Sequence, residues 1–352
     1  MKYNIYEIDQ MITLLDEFAY NDDLELTVCG MVGTDIFKYV MDSINGVYSF
    51  DRILIIDGCQ DGLEILKKQI PNYMYYLDLF TNSIVDKPVS YNPWLPKIMN
   101  PEVEITLSFN EDMLLHYSVI VINNAELIPI DKLNMIRKAC HVKRIIIADP
   151  FGINGEIFSD RPTLIDSLHK VSLIEAYVRV MYNVESRGID KKVPCKIIEN
   201  KKPSKRSIGR IDNTQYITND KSLCEMIQSK QLKNTFRKNQ SVLIDDDKID
   251  VIRTDTGFKC IGRNSMCIIN STSQNNFVML RPLYSKTIFK TYISYDKSSL
   301  SVMKVSPANI LMINDAQYHH YKNTHILIGD NMSIREQYTM FKNSTNVIIS
   351  HL

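Results

Sequence analysis

Four short, nearly unbroken apolar runs dominate the first half of the chain: "ELTVCG" at 25–30, "RILIID" at 52–57, "YSVIVIN" at 117–123 and "VKRIIIAD" at 142–149. Each is rich in β-branched residues and ends on a glycine, asparagine or aspartate. A strand facing water on one side would alternate apolar with polar residues. Continuous runs mark strands buried on both faces, which needs helices above and below the sheet. The segments between them supply those helices. "DIFKYVMDSI", "GLEILKKQI" and "IDKLNMIRKAC" carry apolar residues at helical spacing, as does "IDQMITLLDEFA" ahead of the first strand. Strand and helix in alternation dictate parallel strands joined by crossovers, a doubly wound α/β sheet.

The rhythm breaks twice. Residues 71–115 hold "NSIVDKPVSYNPWLPKIMNPEVE", with several prolines and the only tryptophan, Trp94, and read as an irregular insertion. Residues 196–213, "KIIENKKPSKRSIGRIDN", are strongly basic with little periodicity and read as a linker. Beyond it, "TQYITNDKSLCEMIQSKQL" is strand then helix. Residues 241–305 become short strands joined by Gly, Asn and Asp turns, and the α/β pattern returns in "ANILMIND", "THILIGD", "REQYTMFK" and "NVIISHL". A chain of 352 residues accommodates two domains. The expected limits are 1–195, a linker at 196–213, and 214–352 with a β-rich insertion at about 241–305.

Composition narrows the function. Lys+Arg and Asp+Glu both number 41, so a surface for nucleic acid must be a local patch. The seven cysteines are scattered without a CxxC pair, which argues against a zinc or disulfide framework and suits a reducing cytoplasm. "MKYNIYEIDQMITLL" has acids within its apolar run and no small-residue cleavage site, so it does not read as a signal peptide. No apolar stretch approaches the length of about 18 residues that a membrane span requires. His319 and His320 are adjacent and point different ways, so no metal site is expected; Asp245-Asp246-Asp247 reads as a turn. The weight of Ile, Asn, Lys and Tyr fits an AT-rich genome such as many phages have.

One stretch points to chemistry. "VCGMVGTDIFKYVM", residues 28–41, is strand, glycine turn and helix. A phosphate-binding loop wraps backbone N–H groups around phosphates, sets a lysine on the outer ones and a Ser/Thr hydroxyl on magnesium. Here Gly30, Gly33 and Thr34 keep the turn, but Asp35, Ile36 and Phe37 stand where Gly, Lys and Ser/Thr belong. An acid beside phosphate repels it, and neither Ile36 nor Phe37 coordinates anything.

Read in order, the segments resemble superfamily 1 helicases of the Dda/RecD-like kind over nearly the whole chain. "NIYEIDQ" resembles the Q motif, with Gln10 at the adenine-reading position, and "VCGMVGTDIFKYV" falls at motif I. "RILIIDGCQDGLEILKK" resembles motif Ia, with Asp57-Gly58-Cys59 in place of Ala-Pro-Thr. "SVIVINNAELI" falls at motif II, with Asn123 and Asn124 replacing the paired acids. "KRIIIADPFGI" resembles motif III, keeping Asp149 but with Gly152 for glutamine. "SLIEAYVR" places Arg179 near the phosphate-contacting arginine. "NILMINDAQYHHYKNTHILIG" resembles motif V, keeping Gln317, with Met312, Asn314 and Tyr318 at the Thr, His and Gly positions. "EQYTMFKNSTNVIIS" resembles motif VI, with Asn343 in place of the crossing arginine.

The resemblance implies two RecA-like parallel-sheet domains with an SH3-like β insertion in the second. It also implies a nucleotide site reduced to remnants at Gln10, Gly30, Gly33, Thr34, Asp149, Arg179 and Gln317. The expectation that follows is a protein that is not an enzyme and takes no cofactor. It would bind nucleic acid or serve as a structural subunit of a viral replication, transcription or virion complex, in the host cytoplasm or the virion. Single strands need cations and stacking rings. The candidates are Lys38, Lys143, Arg144, Lys201, Lys202, Lys205, Arg206 and Arg210, with Trp94, Tyr91, Tyr318 and Tyr321. Other readings are a helicase with residual nucleotide binding, a pure scaffold, and an S-adenosylmethionine-dependent methyltransferase whose ribose acid would be Asp57.

Overall fold

A computed structural model of the chain describes residues 5–30, 36–48, 52–59, 75–78, 83–86, 114, 117–138, 141–158, 214–232, 236–246, 250–254, 257–262, 265–273, 276–283, 285–298, 302–329 and 332–351. The first sheet is built from β1 (Glu25–Cys29), β2 (Ile53–Asp57), β3 (Tyr75–Asp78), β4 (Ser83–Asp86), β5 (Val119–Asn123) and β6 (Lys143–Ala148). Their order is β1-β6-β5-β2-β3-β4, and every pairing is parallel except β3 with β4.

Each apolar run divides its side chains between two cores. Ile53, Ile55, Val119, Val121, Ile145 and Ile147 pack on one face with Leu15, Phe18, Ile36, Phe37, Val40, Met41 and Ile44 of α1 (Ile5–Tyr20) and α2 (Ile36–Asn45). Leu54, Ile56, Ile120, Ile122 and Ile146 pack on the other with Leu133 and Ile136 of α3 (Ile130–Arg137). This two-sided burial is what the unbroken runs dictated. Within 71–115 only 75–78, 83–86 and 114 are among the described residues. Tyr75–Asp78 and Ser83–Asp86 form strands that lengthen the first sheet. Trp94 and Tyr91, the helix expected at "GLEILKKQI", the basic segment 196–213 and Arg179 lie outside the described residues.

The second sheet takes β7 (Gln215–Thr218), β15 (Ile310–Met312), β16 (Tyr321–Ile328) and β17 (Ser344–His351), parallel throughout in the order β15-β7-β16-β17. Cys224 and Ile227 of α4 (Lys221–Leu232) cover one face beside Tyr216, Ile310 and Leu327. The short α5 (Ile313–Ala316) follows β15, and α6 (Ile334–Lys342) precedes β17.

Between β7 and β15 the chain makes a closed barrel in the order β11-β12-β13-β14-β8. Its strands are β8 (Ser241–Ile244), β11 (Met266–Thr272), β12 (Phe277–Pro282), β13 (Phe289–Ser294) and β14 (Met303–Pro307). The hairpin of β9 (Asp250–Thr254) and β10 (Gly257–Ile261) stands apart from that ring. Alternate residues turn inward, among them Val242, Ile244, Cys267, Ile269, Val278, Leu280, Phe289, Ile293 and Val305. A barrel this narrow is filled by its own side chains. Among the described residues, no helix is long and apolar enough to cross a membrane.

Candidate functional site

In a parallel sheet the carboxyl ends of the strands share one edge, where sites in α/β folds gather. At that edge of the first sheet β2 ends in Asp57, β5 in Asn123, and β6 runs into Asp149. The Asp57 carboxylate is fully buried and accepts hydrogen bonds from Asn123 Nδ2 (2.8 Å), Asn124 Nδ2 (2.8 Å) and the Cys59 amide (2.7 Å). Burial pushes its pKa up to about 6, aided by the nearby charge of Glu126 and opposed by the asparagine amides. Gly58 is required between them, because a Cβ there would lie 2.2 Å from the Asn124 carbonyl oxygen. Asn124 itself sits in the left-handed region with φ 50°, which asparagine tolerates. Asp57-Gly58 and Asn123-Asn124 are therefore one structural unit. A second acid at 123 or 124 would face the Asp57 carboxylate at hydrogen-bond distance.

The second cluster joins the two sheets. Glu126 follows β5, Asp149 follows β6, and both are buried. From the other side α6 brings Tyr338 and Lys342, one helical turn apart. Lys342 Nζ lies 2.6 Å from Glu126 Oε1 and 3.5 Å from Asp149 Oδ2. The Tyr338 hydroxyl donates to Asp149 Oδ2 (2.5 Å). Glu126 Oε2 accepts from the Asp149 amide at 3.0 Å, and Asp149 Oδ1 from the Phe151 amide at 2.9 Å. Burial alone would pull the lysine pKa down, but the charges of Glu126 and Asp149 outweigh it and raise it. The Asp149 carboxyl is raised by burial and by Glu126, against the pull of Lys342 and Tyr338. Two acids thus share one ammonium ion in a dry site.

Smaller contacts extend the seam. Thr339 Oγ1 accepts from the Ile153 amide (3.0 Å), Arg335 donates to the Gly152 carbonyl (3.4 Å), and the Cys59 thiol donates to the Tyr318 carbonyl (3.1 Å). Asn154 Nδ2 donates to Gln317 Oε1 at 3.3 Å. Arg335, Tyr338, Thr339 and Lys342 occupy one face of α6, spaced as i, i+3, i+4 and i+7.

The expected site residues fall as follows. Gly30 donates its amide to the Ala148 carbonyl (3.1 Å) rather than toward a phosphate. Ile36 and Phe37 belong to the core under α2, which accounts for apolar residues where a phosphate loop has polar ones. Gly33, Thr34 and Asp35 lie outside the described residues; Gln10 and Lys38 lie on α1 and α2. Asn343 does not cross the seam, because its amide donates to the Gln317 carbonyl on its own side (2.5 Å). Lys342, one residue earlier, makes the crossing instead. The nucleic-acid candidates fall in varied surroundings. Lys143 binds the carbonyls of Phe18 and Asn21 at the end of α1 (2.5 Å each) and lies over the Phe18 ring. Arg144 is buried against Glu25 at 3.5 Å, and Tyr321 is buried with its hydroxyl on the Ala316 carbonyl. Tyr318 is half-buried. Lys201, Lys202, Lys205, Arg206 and Arg210 lie outside the described residues. Asp57, the acid of the methyltransferase reading, is buried and holds two side-chain amides and a backbone N–H. Glu126, Tyr338 and Lys342 belong to none of the positions expected from the motifs. Their signal was a charge set within apolar residues, in "NAELI" and "TMFKN".

The family that the motif order resembles holds a nucleoside triphosphate with magnesium. Among the described residues no group of three or more His, Cys, Asp or Glu is arranged to hold a metal ion. Glu126 and Asp149 face Lys342 instead. In this arrangement the described residues do not fit a metal-bound phosphate.

No protein-family model and no curated protein matches the sequence. Solved structures do. The chain is similar to a Pif1 helicase from Bacteroides in complex with ADP-AlF3 and single-stranded DNA, at 14% identity and TM-score 0.49 over 99% of this chain and 92% of that one. It is also similar to Bacteroides Pif1 bound to single-stranded DNA (12%, TM-score 0.47, 97% and 91%). A third is the Pif1 helicase from Candida albicans (10%, TM-score 0.39, 97% and 94%). This finding corrects the expectation that the chain is not an enzyme. Its structural neighbours are helicases by name, and departures at the motifs do not by themselves show inactivity.

Proposed function

We propose that the chain is a helicase-like protein that binds single-stranded nucleic acid across two RecA-like domains and works inside a larger complex. The observation that supports this most is the seam itself. Two sheets meet at the ends of β5 and β6 through Glu126, Asp149, Tyr338 and Lys342. In this reading the domains span 1–195 and 214–352, the basic segment 196–213 links them, and the closed barrel within about 241–305 is an SH3-like insertion. The nearer kinship to the Dda/RecD-like kind rests on the motif order. A viral complex, in the host cytoplasm or the virion, rests on the composition. Lys38, Trp94, Tyr318 and the cations from Lys201 to Arg210 would serve the bound strand. Gln10, Gly33, Thr34 and Arg179 would belong to a nucleotide site on this reading, as the motif order suggests.

The test is binding of labelled single-stranded DNA over a salt series. Binding through phosphates releases counterions, so affinity should fall steeply and log-linearly as salt rises. Failure to retain a single strand at low salt would sink the proposal.

A further inference from the structure

We propose a second nucleic-acid site, on the barrel and away from the seam: the outward face of the β12–β13 hairpin is a stacking platform for a single strand. The inference rests on the reading of the chain as a nucleic-acid binder and adds a place that no motif marks. The hairpin is antiparallel, with Phe277 opposite Tyr292 and Met279 opposite Lys290. Val278, Leu280, Phe289 and Ile293 fill the barrel, so the alternate set faces outward: Phe277, Met279 and Arg281 on β12, Lys290 and Tyr292 on β13. Tyr292 is 51% exposed, and Phe277 props it from the side with ring centroids 5.0 Å apart and planes at 60°.

An exposed ring alone means little, because single apolar side chains on a surface are ordinary. Its company decides. From Met266 to Tyr295 the chain contains no aspartate or glutamate, although acids and bases balance over the whole sequence. The same stretch holds Arg281, Lys286 and Lys290. Both lysines are exposed, and Arg281 is half-buried at the edge of the face. Among the described residues none of the three is ion-paired. A propped ring flanked by cations, with no acid on either strand, is the combination a single strand recognises. Any base offers a face to stack on, and the flanking phosphates take the charge. An acidic protein segment would use the cations but leave the edge-braced aromatic pair without a purpose, so nucleic acid is the occupant.

The experiment is fluorescence anisotropy with labelled oligo(dT) of about 16 nucleotides, the upper range for one small barrel. It uses the full chain and the variants Tyr292→Ala, Tyr292→Phe and Lys290→Glu, with ultraviolet crosslinking to map contacts. Loss of one stacking ring should weaken binding about tenfold in Tyr292→Ala, while Tyr292→Phe binds as the parent. Lys290→Glu should bind less tightly and with a shallower salt slope, and crosslinks should fall within residues 277–292. Thermal melting checks folding. Should Tyr292→Ala unfold, the exposed Lys290→Glu and the crosslink map still decide. A parent that binds while Tyr292→Ala and Lys290→Glu bind equally well overturns this site and leaves the proposed function standing. A parent that binds nothing at low salt overturns both. Variants that keep oligo(dT) but release a co-purifying protein would mark the face as a protein dock and overturn the proposal.

Discussion

Asn123 and Asn124 stand where the motif resemblance expects two acids, yet the charge has not left that edge of the sheet. It stands one strand over, on Asp57, and the two amides are there to satisfy it. The same displacement holds across the seam, where Lys342 rather than the residue at 343 brings the positive charge. Removing one partner of a buried ion pair strands the other without water, at a cost of about 3–5 kcal/mol. Lys342→Met should therefore destabilise the protein by about that amount at pH 8, measured by urea unfolding. The sign of its pH dependence follows from Asp149, whose pKa already stands above its unfolded value and rises further without the lysine. A group raised in the folded state favours folding at low pH, and that contribution is lost as pH rises through the folded pKa. The deficit of Lys342→Met should shrink as pH falls toward 5. A deficit independent of pH would show that the acids do not depend on the lysine. These residues were legible only as oddities, charges inside "NAELI" and "TMFKN", because nothing local says which distant group meets them.

At the scale of elements, α6 carries most of the seam on one face. Its start is fixed by a capping box: Ser333 Oγ accepts from the Glu336 amide (3.2 Å), and Glu336 Oε2 accepts from the Ser333 amide (2.7 Å). That pattern of Ser, two residues, then Glu is written in "SIRE". Loss of an N-cap hydroxyl typically costs about 1 kcal/mol. Ser333→Ala should lower stability by roughly that much, and Glu336→Ala added to it should cost less than it does alone, because the two halves of the box work together. Full additivity in a double-mutant cycle would contradict a reciprocal cap. The strands were equally legible, since period and β-branching are local properties. Strands β3 and β4 were not, because prolines and polar residues around them mask short runs whose partner is the edge of a sheet already formed.

For the whole molecule, the largest apolar core is shared between the sheets. Val28, Ile55, Ile147 and Phe151 belong to the same cluster as Ile217, Leu311, Ile326, Tyr338 and Phe341. Phe151 meets Tyr338 edge to face, with centroids 6.3 Å apart. Units that share a core lose it together, so urea unfolding should give coincident transitions by far-ultraviolet circular dichroism and by tyrosine fluorescence. Two separated transitions would mean that the seam contributes little.

The amino-acid sequence by itself determined the alternation of strand and helix, the two-sided burial of the first sheet and the β-rich character of the segment between β7 and β15. Side-chain period and turn chemistry act within a few residues, and those features need nothing more. Only the tertiary structure decided that Glu126 and Lys342, 216 positions apart, form one ion pair, and that Asp57 is answered by Asn123 and Asn124. The worth of a charge depends on distance and on water removed, and both are set where strand ends from separate parts of the chain come together.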